Sequence, residues 1–403
     1  MGKLVNLRHL EIEDTSLKFL PQGIGRMSSL SSLSKFIVGG GCKIEELKNL
    51  NLLQRKLEIV NLERVTNKDE AKEAELKNKQ YLRDLQLSFE WNDSSEMSEI
   101  ERIEGVLEGL EPHGNLNELR IESYIDHKFP IWMTKGTTLS NLRVLVVNQC
   151  NCVQLHFLES LEKLEIRSMP KVKLIGCEFL GIDSSDGVDR LFPKLESLKF
   201  EGMFDLEEWD LKMKNVMPRL KHLTVTGCPK LKQIPTLGNL EVLKTLEISG
   251  ISSFECIDEE LMGVSNGESI PTVVFLKLQK LGLHNCYILK SVPECIMSSS
   301  AIRDLNISAC PLLMWTQSCL SPLLETLRLF NDAGLAQLKS LQRLHIRFCK
   351  KLECLPEELQ HLTSLQELEI SSCDILGPRC QKGGEEWNII SHIPNIQVDQ
   401  KKI

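Results

Sequence analysis

The chain has 403 residues; about one in six is Leu, and only 5% are aromatic. Its 48 basic and 56 acidic residues leave a net charge of −8, without the basic excess of a nucleic-acid binder. No run of about 18 apolar residues occurs, and Met1-Gly2-Lys3-Leu4-Val5-Asn6 has no apolar signal core, so neither a membrane span nor secretion is expected. Fourteen cysteines without a signal peptide then point to free thiols in a reducing compartment: the cytoplasm, with the nucleus as a second location.

The predicted elements repeat along the chain. Leu7-x-x-Leu10-x-Ile12 opens the series, and the spacing returns at Leu82/Leu85/Leu87, Leu116/Leu119/Ile121, Leu142/Leu145/Val147 and Leu161/Leu164/Ile166. It continues at Leu195/Leu198/Phe200, Leu220/Leu223/Val225, Leu243/Leu246/Ile248, Leu278/Leu281/Leu283 and Ile302/Leu305/Ile307. Leu324/Leu327/Leu329, Leu341/Leu344/Ile346 and Leu365/Leu368/Ile370 close it, with weaker copies centred on Leu33 and Leu57. From Leu10 to Leu368 there are 14 steps in 358 residues, about 26 per step, inside the 20–29 window of leucine-rich repeats. Eight residues after the aligned Leu stands another apolar residue, as at Val172, Leu206, Leu231 and Leu289. Eleven after it stands a second, as at Ile175, Trp209, Ile234 and Leu355, often followed by Pro.

The x-Leu-x-Leu segment alternates with period two, so it predicts a short strand with one buried face. One repeat cannot bury its own leucines, whereas stacked neighbours can. The expected fold is therefore an α/β leucine-rich-repeat solenoid, a horseshoe with a parallel sheet on its concave face. Irregular, 3-10 or helical segments form the convex side. Residues 1–403 are expected to form a single domain of about fifteen repeats.

Cys150, Cys228, Cys286, Cys310, Cys349 and Cys373 all lie five residues after the aligned Leu, where the chain leaves the strand. A small, buried, weakly polar side chain fits there, so these are read as structural. Cys150-x-Cys152 has no partner pair at zinc spacing, and no metal is expected. Spacing swells at three places. Asn67 to Gln80 and the stretch near 98–110 read as helical insertions, the second opened by a capping-box pattern, Ser98-Glu99-Ile100-Glu101. The Gly/Ser/Asp-rich stretches near 176–190 and 258–272 read as surface loops.

No phosphate-binding loop, His-Glu-x-x-His or Gly-x-Ser-x-Gly motif occurs, so no cofactor and no catalytic residue is assigned. His9, His222 and His345 fall on strand positions facing the concave side and read as surface residues. What remains is surface. Residues flanking the strand leucines project from the concave sheet. Near the C-terminus these are Thr326, Arg328 and Phe330, then Arg343, His345 and Arg347, then Glu367 and Glu369. A basic strip with an aromatic beside an acidic one is a candidate protein-binding surface, since Arg and aromatics anchor interfaces.

Several stretches go beyond a generic repeat: Leu4-Val5-Asn6-Leu7-Arg8-His9-Leu10, Leu57-Glu58-Ile59-Val60-Asn61-Leu62-Glu63-Arg64-Val65, Phe129-Pro130-Ile131-Trp132-Met133 and Trp387-Asn388-Ile389-Ile390-Ser391-His392-Ile393-Pro394-Asn395-Ile396. Together they resemble the leucine-rich-repeat region of plant disease-resistance proteins of the coiled-coil, nucleotide-binding class. The resemblance implies a non-catalytic module of innate immunity. It would sense a pathogen effector or a guarded host protein and hold the receptor's nucleotide-binding domain inactive. The coiled coil and nucleotide-binding domain are not among these residues, so nucleotide switching does not transfer, and a truncated receptor is the expectation. The alternative is a leucine-rich-repeat substrate adaptor for ubiquitin ligation, which would need an F-box.

Overall fold

From Leu57 to Leu368 each aligned Leu and the residue two further on sit in a strand, and the burial alternates with the sequence. In Glu118–Glu122, Ser197–Glu201, Asp304–Ser308 and Glu367–Ser371 the Leu and the residue two further on are buried, while the residues between and beside them are half-buried. The computed structural model describes residues 4, 6–13, 15–91, 96–134, 138–152, 154–155, 159–176, 179, 192–209, 217–232, 234, 240, 242–253, 277–290, 292, 301–310, 324–329, 341–347, 354–355 and 357–403. The chain packs as two compact units: residues 1–206 with 210–217, and residues 207–209 with 218–403.

In the first unit the strands Lys35–Ile37, Arg55–Val60, Leu82–Ser88, Glu118–Glu122, Val144–Asn148, Lys163–Arg167 and Ser197–Glu201 pair in sequence order, all parallel. In the second unit parallel pairing runs from His222–Thr226 through Thr245–Ser249, Lys280–His284, Asp304–Ser308, Thr326–Leu329, Arg343–Arg347 and Glu367–Ser371 to Asn395–Val398. Lys401–Lys402 adds an antiparallel strand. Register follows the repeat, so like stacks on like: Leu281 pairs with Leu305, and Leu283 with Ile307. Each such buried side chain stabilises by about 1.5–3 kcal/mol. The returning residues meet the strand leucines from behind: Val172, Ile175, Leu206, Trp209, Leu231, Ile234, Leu289 and Leu355 are all buried. Val153, Phe254, Ile257, Leu313 and Leu352, placed in the same phases, lie outside the described residues, as do nearly all of 176–190 and the whole of 258–272.

Among the described residues the chain leaves most of these strands by the same turn. Four residues after the aligned Leu the backbone is left-handed at Ser123, Gln149, Ser168, Gly202, Gly227, Gly250, Asn285, Ala309 and Ser372, with φ between 51° and 65°. The N–H of this residue donates to the end of the neighbouring strand, as from Gln149 to Arg167 O at 2.9 Å and from Gly250 to His284 O at 2.8 Å. The cysteine follows. Cys310 Sγ donates to Ser308 O at 3.4 Å and to Leu283 O of the preceding repeat at 3.6 Å, and Cys373 repeats this with Ser371 O and Ile346 O. A small thiol there adds a weak donor to strand-end carbonyls, such as Ser308 O, which also accepts from Asn285 N at 2.8 Å. Cys349 lies outside the described residues.

The helical insertions differ in detail from their sequence pattern. Asn67 to Gln80 is not one helix but an α-helix, Lys68–Lys72, and a 3-10 turn, Leu76–Asn78. Glu75 at φ 46° breaks the helical path between them. Asn67 caps the helix, its Oδ1 accepting from Asp69 N and Glu70 N. The second helix is Met97–Gly109; Glu96 occupies its N-cap without a side-chain capping bond, and Ser98 lies inside the helix, so the Ser98–Glu101 capping box is not used. Ile103, Val106 and Leu107 form its buried face. It packs on Lys68–Lys72 through Gly109, where a Cβ would lie 2.6 Å from Lys68 O and 2.8 Å from Ala71 Cβ. Trp132 explains one landmark: its indole N–H donates to Leu107 O at 3.1 Å, a second donor to a last-turn carbonyl that also accepts from Leu110 N. Tyr124 and Phe129 stack beside it with ring centroids 6.2 Å apart.

Lys79 is fully buried, its Nζ donating to Leu47 O at 2.7 Å and to Asn51 Oδ1 at 3.3 Å. Burial pushes its pKa down to about 8, against the pull of Glu75. Two expectations follow from these features. Gly250 has ordinary space for a Cβ, 3.4 Å from Gly227 Cα, so the cost of a side chain there is conformational. Gly250→Val should destabilise by about 1–2 kcal/mol and Gly250→Asn by much less, measured by urea denaturation, because Asn tolerates the left-handed region. For Lys79, the unfolded chain holds its proton to about pH 10.4 while the folded chain releases it near 8. Between those values the unfolded state binds more protons, so stability rises with pH. Compared with Lys79→Met, the native chain should gain roughly 3 kcal/mol between pH 7.5 and 10.5; a pH-independent difference would refute this.

Candidate protein-binding surface

Parallel register decides which concave side chains meet. Arg343–Arg347 pairs with Glu367–Ser371 so that Arg343 lies opposite Glu367 and His345 opposite Glu369. The basic strip and the acidic strip are therefore not separate surfaces. His345 Nδ1 lies 3.0 Å from Glu369 Oε2, and the same carboxylate accepts from Arg347 Nη2. His345 Nε2 is 3.9 Å from Glu367 Oε1. Glu369 is thus wedged between two basic groups and half-buried, which holds all three side chains in place and cancels part of their field.

The remaining sequence-predicted residues fall differently. Thr326 is 2% exposed, so it supports the surface rather than presenting itself; its Oγ1 accepts from Arg343 Nε at 3.2 Å. A Thr beside a long Arg stem is covered by it, which strand alternation alone does not reveal. Arg343 is exposed and forms no ion pair among the described residues. Arg328 lies in the strand Thr326–Leu329, opposite His345; its side chain, and Phe330 altogether, lie outside the described residues. His222 is exposed and shares a hydrogen bond of 3.1 Å with Thr245 Oγ1, and His9 is exposed.

The first unit carries a second charged surface that the sequence reading passed over. In Lys163–Arg167 the central Glu165 is 6% exposed and bound by Lys163 Nζ at 2.7 Å and by Arg167 Nη2. Burial alone would push the Glu165 carboxyl up; the two cationic partners bring it below the usual carboxylate range. Arg167 also reaches Glu201 at 3.4 Å, which Lys199 approaches at 2.8 Å. The signal was present as alternating charge in Lys163-x-Glu165-x-Arg167, the period of one strand face. Groups already fixed by neighbours lose little freedom on binding, and their charges steer and select a partner. Chemistry at the thiols is disfavoured: burial pushes Cys150 up to about 12 and Cys152 well above the ordinary thiol range, so both stay protonated and unreactive at neutral pH.

Comparison with known proteins decides the family. A family model described as R13L1/DRL21 LRRs matches residues 44–169. Putative disease resistance protein RGA4 of Solanum bulbocastanum is 33% identical over 409 aligned residues, covering 97% of this chain and 39% of its own length. Putative disease resistance RPP13-like protein 1 of Arabidopsis thaliana is 31% identical over 67% of this chain and 28% of its own length. The chain belongs with the leucine-rich-repeat regions of plant disease-resistance proteins. It spans about two-fifths or less of the length of these relatives. A solved leucine-rich-repeat protein of Leptospira interrogans covers 98% of this chain and 97% of its own at 19% identity, with a TM-score of 0.41, too loose a likeness to add to the argument. Among the described residues no helix is long and apolar enough to cross a membrane.

The geometry of this leucine-rich-repeat surface separates its two acidic residues. Glu369→Gln should lower stability by about 1 kcal/mol, since it removes the charge that Arg347 pairs with and that His345 contacts. Glu367→Gln, whose only contact with His345 is 3.9 Å long, should change it by less than about 0.5 kcal/mol. Thermal midpoints at low and high salt measure both; equal effects would show that Glu369 is not the fixed centre of the strip.

Proposed function

We propose that this region is a non-catalytic protein-recognition module of plant innate immunity. The observation that carries the reading is the extent of the likeness: similarity to a disease-resistance protein runs over 97% of the chain rather than through one motif. In this role the region senses a pathogen effector, or a host protein the effector alters, and restrains the nucleotide-binding domain of a receptor. The pre-ordered charge columns of the two units supply the binding chemistry, and the exposed Arg343 beside the Glu369-centred cluster supplies one anchor. The free, buried cysteines support a reducing compartment and hence a cytoplasmic site of action. The ubiquitin-adaptor alternative is not favoured, since the relatives matched carry disease-resistance names.

The test is charge reversal on the strip. Arg343→Glu combined with Arg347→Glu should weaken capture of the immune partner from infected tissue by about tenfold or more. It should also relieve suppression of cell death by a co-expressed nucleotide-binding domain. Partner capture and suppression both unchanged would remove the strip from the site. Recovery of ubiquitin-ligase subunits without any immune or pathogen protein would overturn the reading itself.

A further inference from the structure

Two of the turn cysteines stand in consecutive repeats. Leu281 pairs with Leu305 and His284 with Ser308, so Cys286 and Cys310 occupy the same place in neighbouring strand exits. Both exits make the same left-handed bend, at Asn285 with φ 53° and at Ala309 with φ 51°. Asn285 N donates to Ser308 O at 2.8 Å, which keeps the two segments in step up to the cysteines. The other described turn cysteines have no such neighbour among the described residues. At this position of the adjoining repeats Cys150 has Tyr124 and Met169, and Cys228 has Met203 and Ile251.

The two sulfurs gather at the end of one strand. Cys286 Sγ lies 3.3 Å from His284 O, and Cys310 Sγ lies 3.6 Å from Leu283 O, the carbonyl before it in Lys280–His284. The thiols hydrogen-bond to each other. Neighbouring strands run about 4.8 Å apart, inside the Cα separation of about 4.4–6.8 Å that a disulfide spans. The same two strands also meet through His284 Nδ1 and Ser308 Oγ, 2.7 Å apart. The shared thiol hydrogen bond pushes Cys286 up and holds Cys310 below the ordinary thiol range, although burial opposes the second shift. Cys150 lacks that bond, and burial pushes it up to about 12. Cys286 and Cys310 are buried, yet Asn285 and Tyr287 on either side of Cys286 are exposed, so the pair lies one side chain beneath the surface.

We infer that Cys286 and Cys310 form a redox-sensitive staple, which a hydroperoxide closes into a disulfide between two consecutive repeats and a thiol reductant reopens. The Cys310 sulfur attacks the peroxide, breaks its O–O bond and becomes a sulfenic acid. The other oxygen leaves as hydroxide and takes up the Cys310 proton as water. The Cys286 sulfur then attacks the Cys310 sulfur; the S–S bond forms and the second oxygen leaves as water with the Cys286 proton. Two thiols and one hydrogen peroxide thus give one disulfide and two waters, the sulfurs losing the two electrons that reduce the peroxide. A reducing compartment holds the staple open at rest. The register that buries the leucines also sets the two sulfurs side by side, so closure needs no new strand pairing. The inference is independent of what the chain binds.

The test uses the 403-residue chain with Cys354→Ser, which removes the exposed thiol. The folded protein is treated with hydrogen peroxide, its remaining thiols are blocked, and its peptides are read by mass spectrometry. A Cys286–Cys310 cross-linked peptide should form at least about tenfold faster than Cys150 is oxidised. Closure should raise the thermal midpoint by about 5 °C or more, and dithiothreitol should reverse it. With Cys286→Ala the peroxide-induced rise should vanish. Oxidation of Cys310 without the cross-linked peptide overturns the inference, as does an equal rise in the Cys286→Ala chain. The peptide is read on the chain that keeps both cysteines, so it decides the matter even where Cys286→Ala folds poorly.

Discussion

Every feature of this chain depends on one constraint: a single 26-residue unit cannot remove its leucines from water. The strand contributes two inward side chains and the returning segment about two more, too few to enclose one another. Only a neighbour in the same register covers them. Burial of Leu281 against Leu305, and of Leu283 against Ile307, is therefore at once the source of stability and the rule that fixes strand order and direction. A slip of one residue would turn the leucines outward along the whole strand, so register is strongly specified.

The exit turn follows from the same demand. Parallel strands joined by returning segments must leave the sheet sharply at each repeat. The left-handed residue four after the aligned Leu makes that bend and passes an N–H to the next strand. The cysteine beyond it donates to two carbonyls, one in its own repeat and one in the repeat before. Its thiol has a structural place, which accounts for a cysteine-rich chain whose described thiols are mostly buried.

The polar face inherits its geometry from the buried one. Residues that flank the leucines are carried into fixed columns, so charges distant in sequence are brought within hydrogen-bond reach. Glu369 meets His345 and Arg347 from the preceding strand, and Glu201 meets Arg167. A surface ordered this way offers a partner little conformational entropy to remove. A cavity of about 300 Å³ beside Trp91 is a different kind of feature. It forms where a helix interrupts the repeat and leaves a gap between the strand exit and the helix flank.

The sequence by itself determined the repeat, its strands, the inward leucines and the place of the cysteines, because those depend on spacing along one chain. It also exposed the likeness to plant disease-resistance proteins, through landmarks such as Phe129 to Met133. It did not show that Trp132 caps the helix Met97–Gly109, since the carbonyl it meets lies 25 residues away. It treated Arg343 to Arg347 and Glu367 to Glu369 as two strips, because pairing across strands is set by register rather than by distance in sequence. It held no sign that Lys79 is buried and could not show the pocket at Trp91. Burial of one polar group and the enclosure of a cavity are properties of what packs around them, and only the tertiary structure supplies those neighbours.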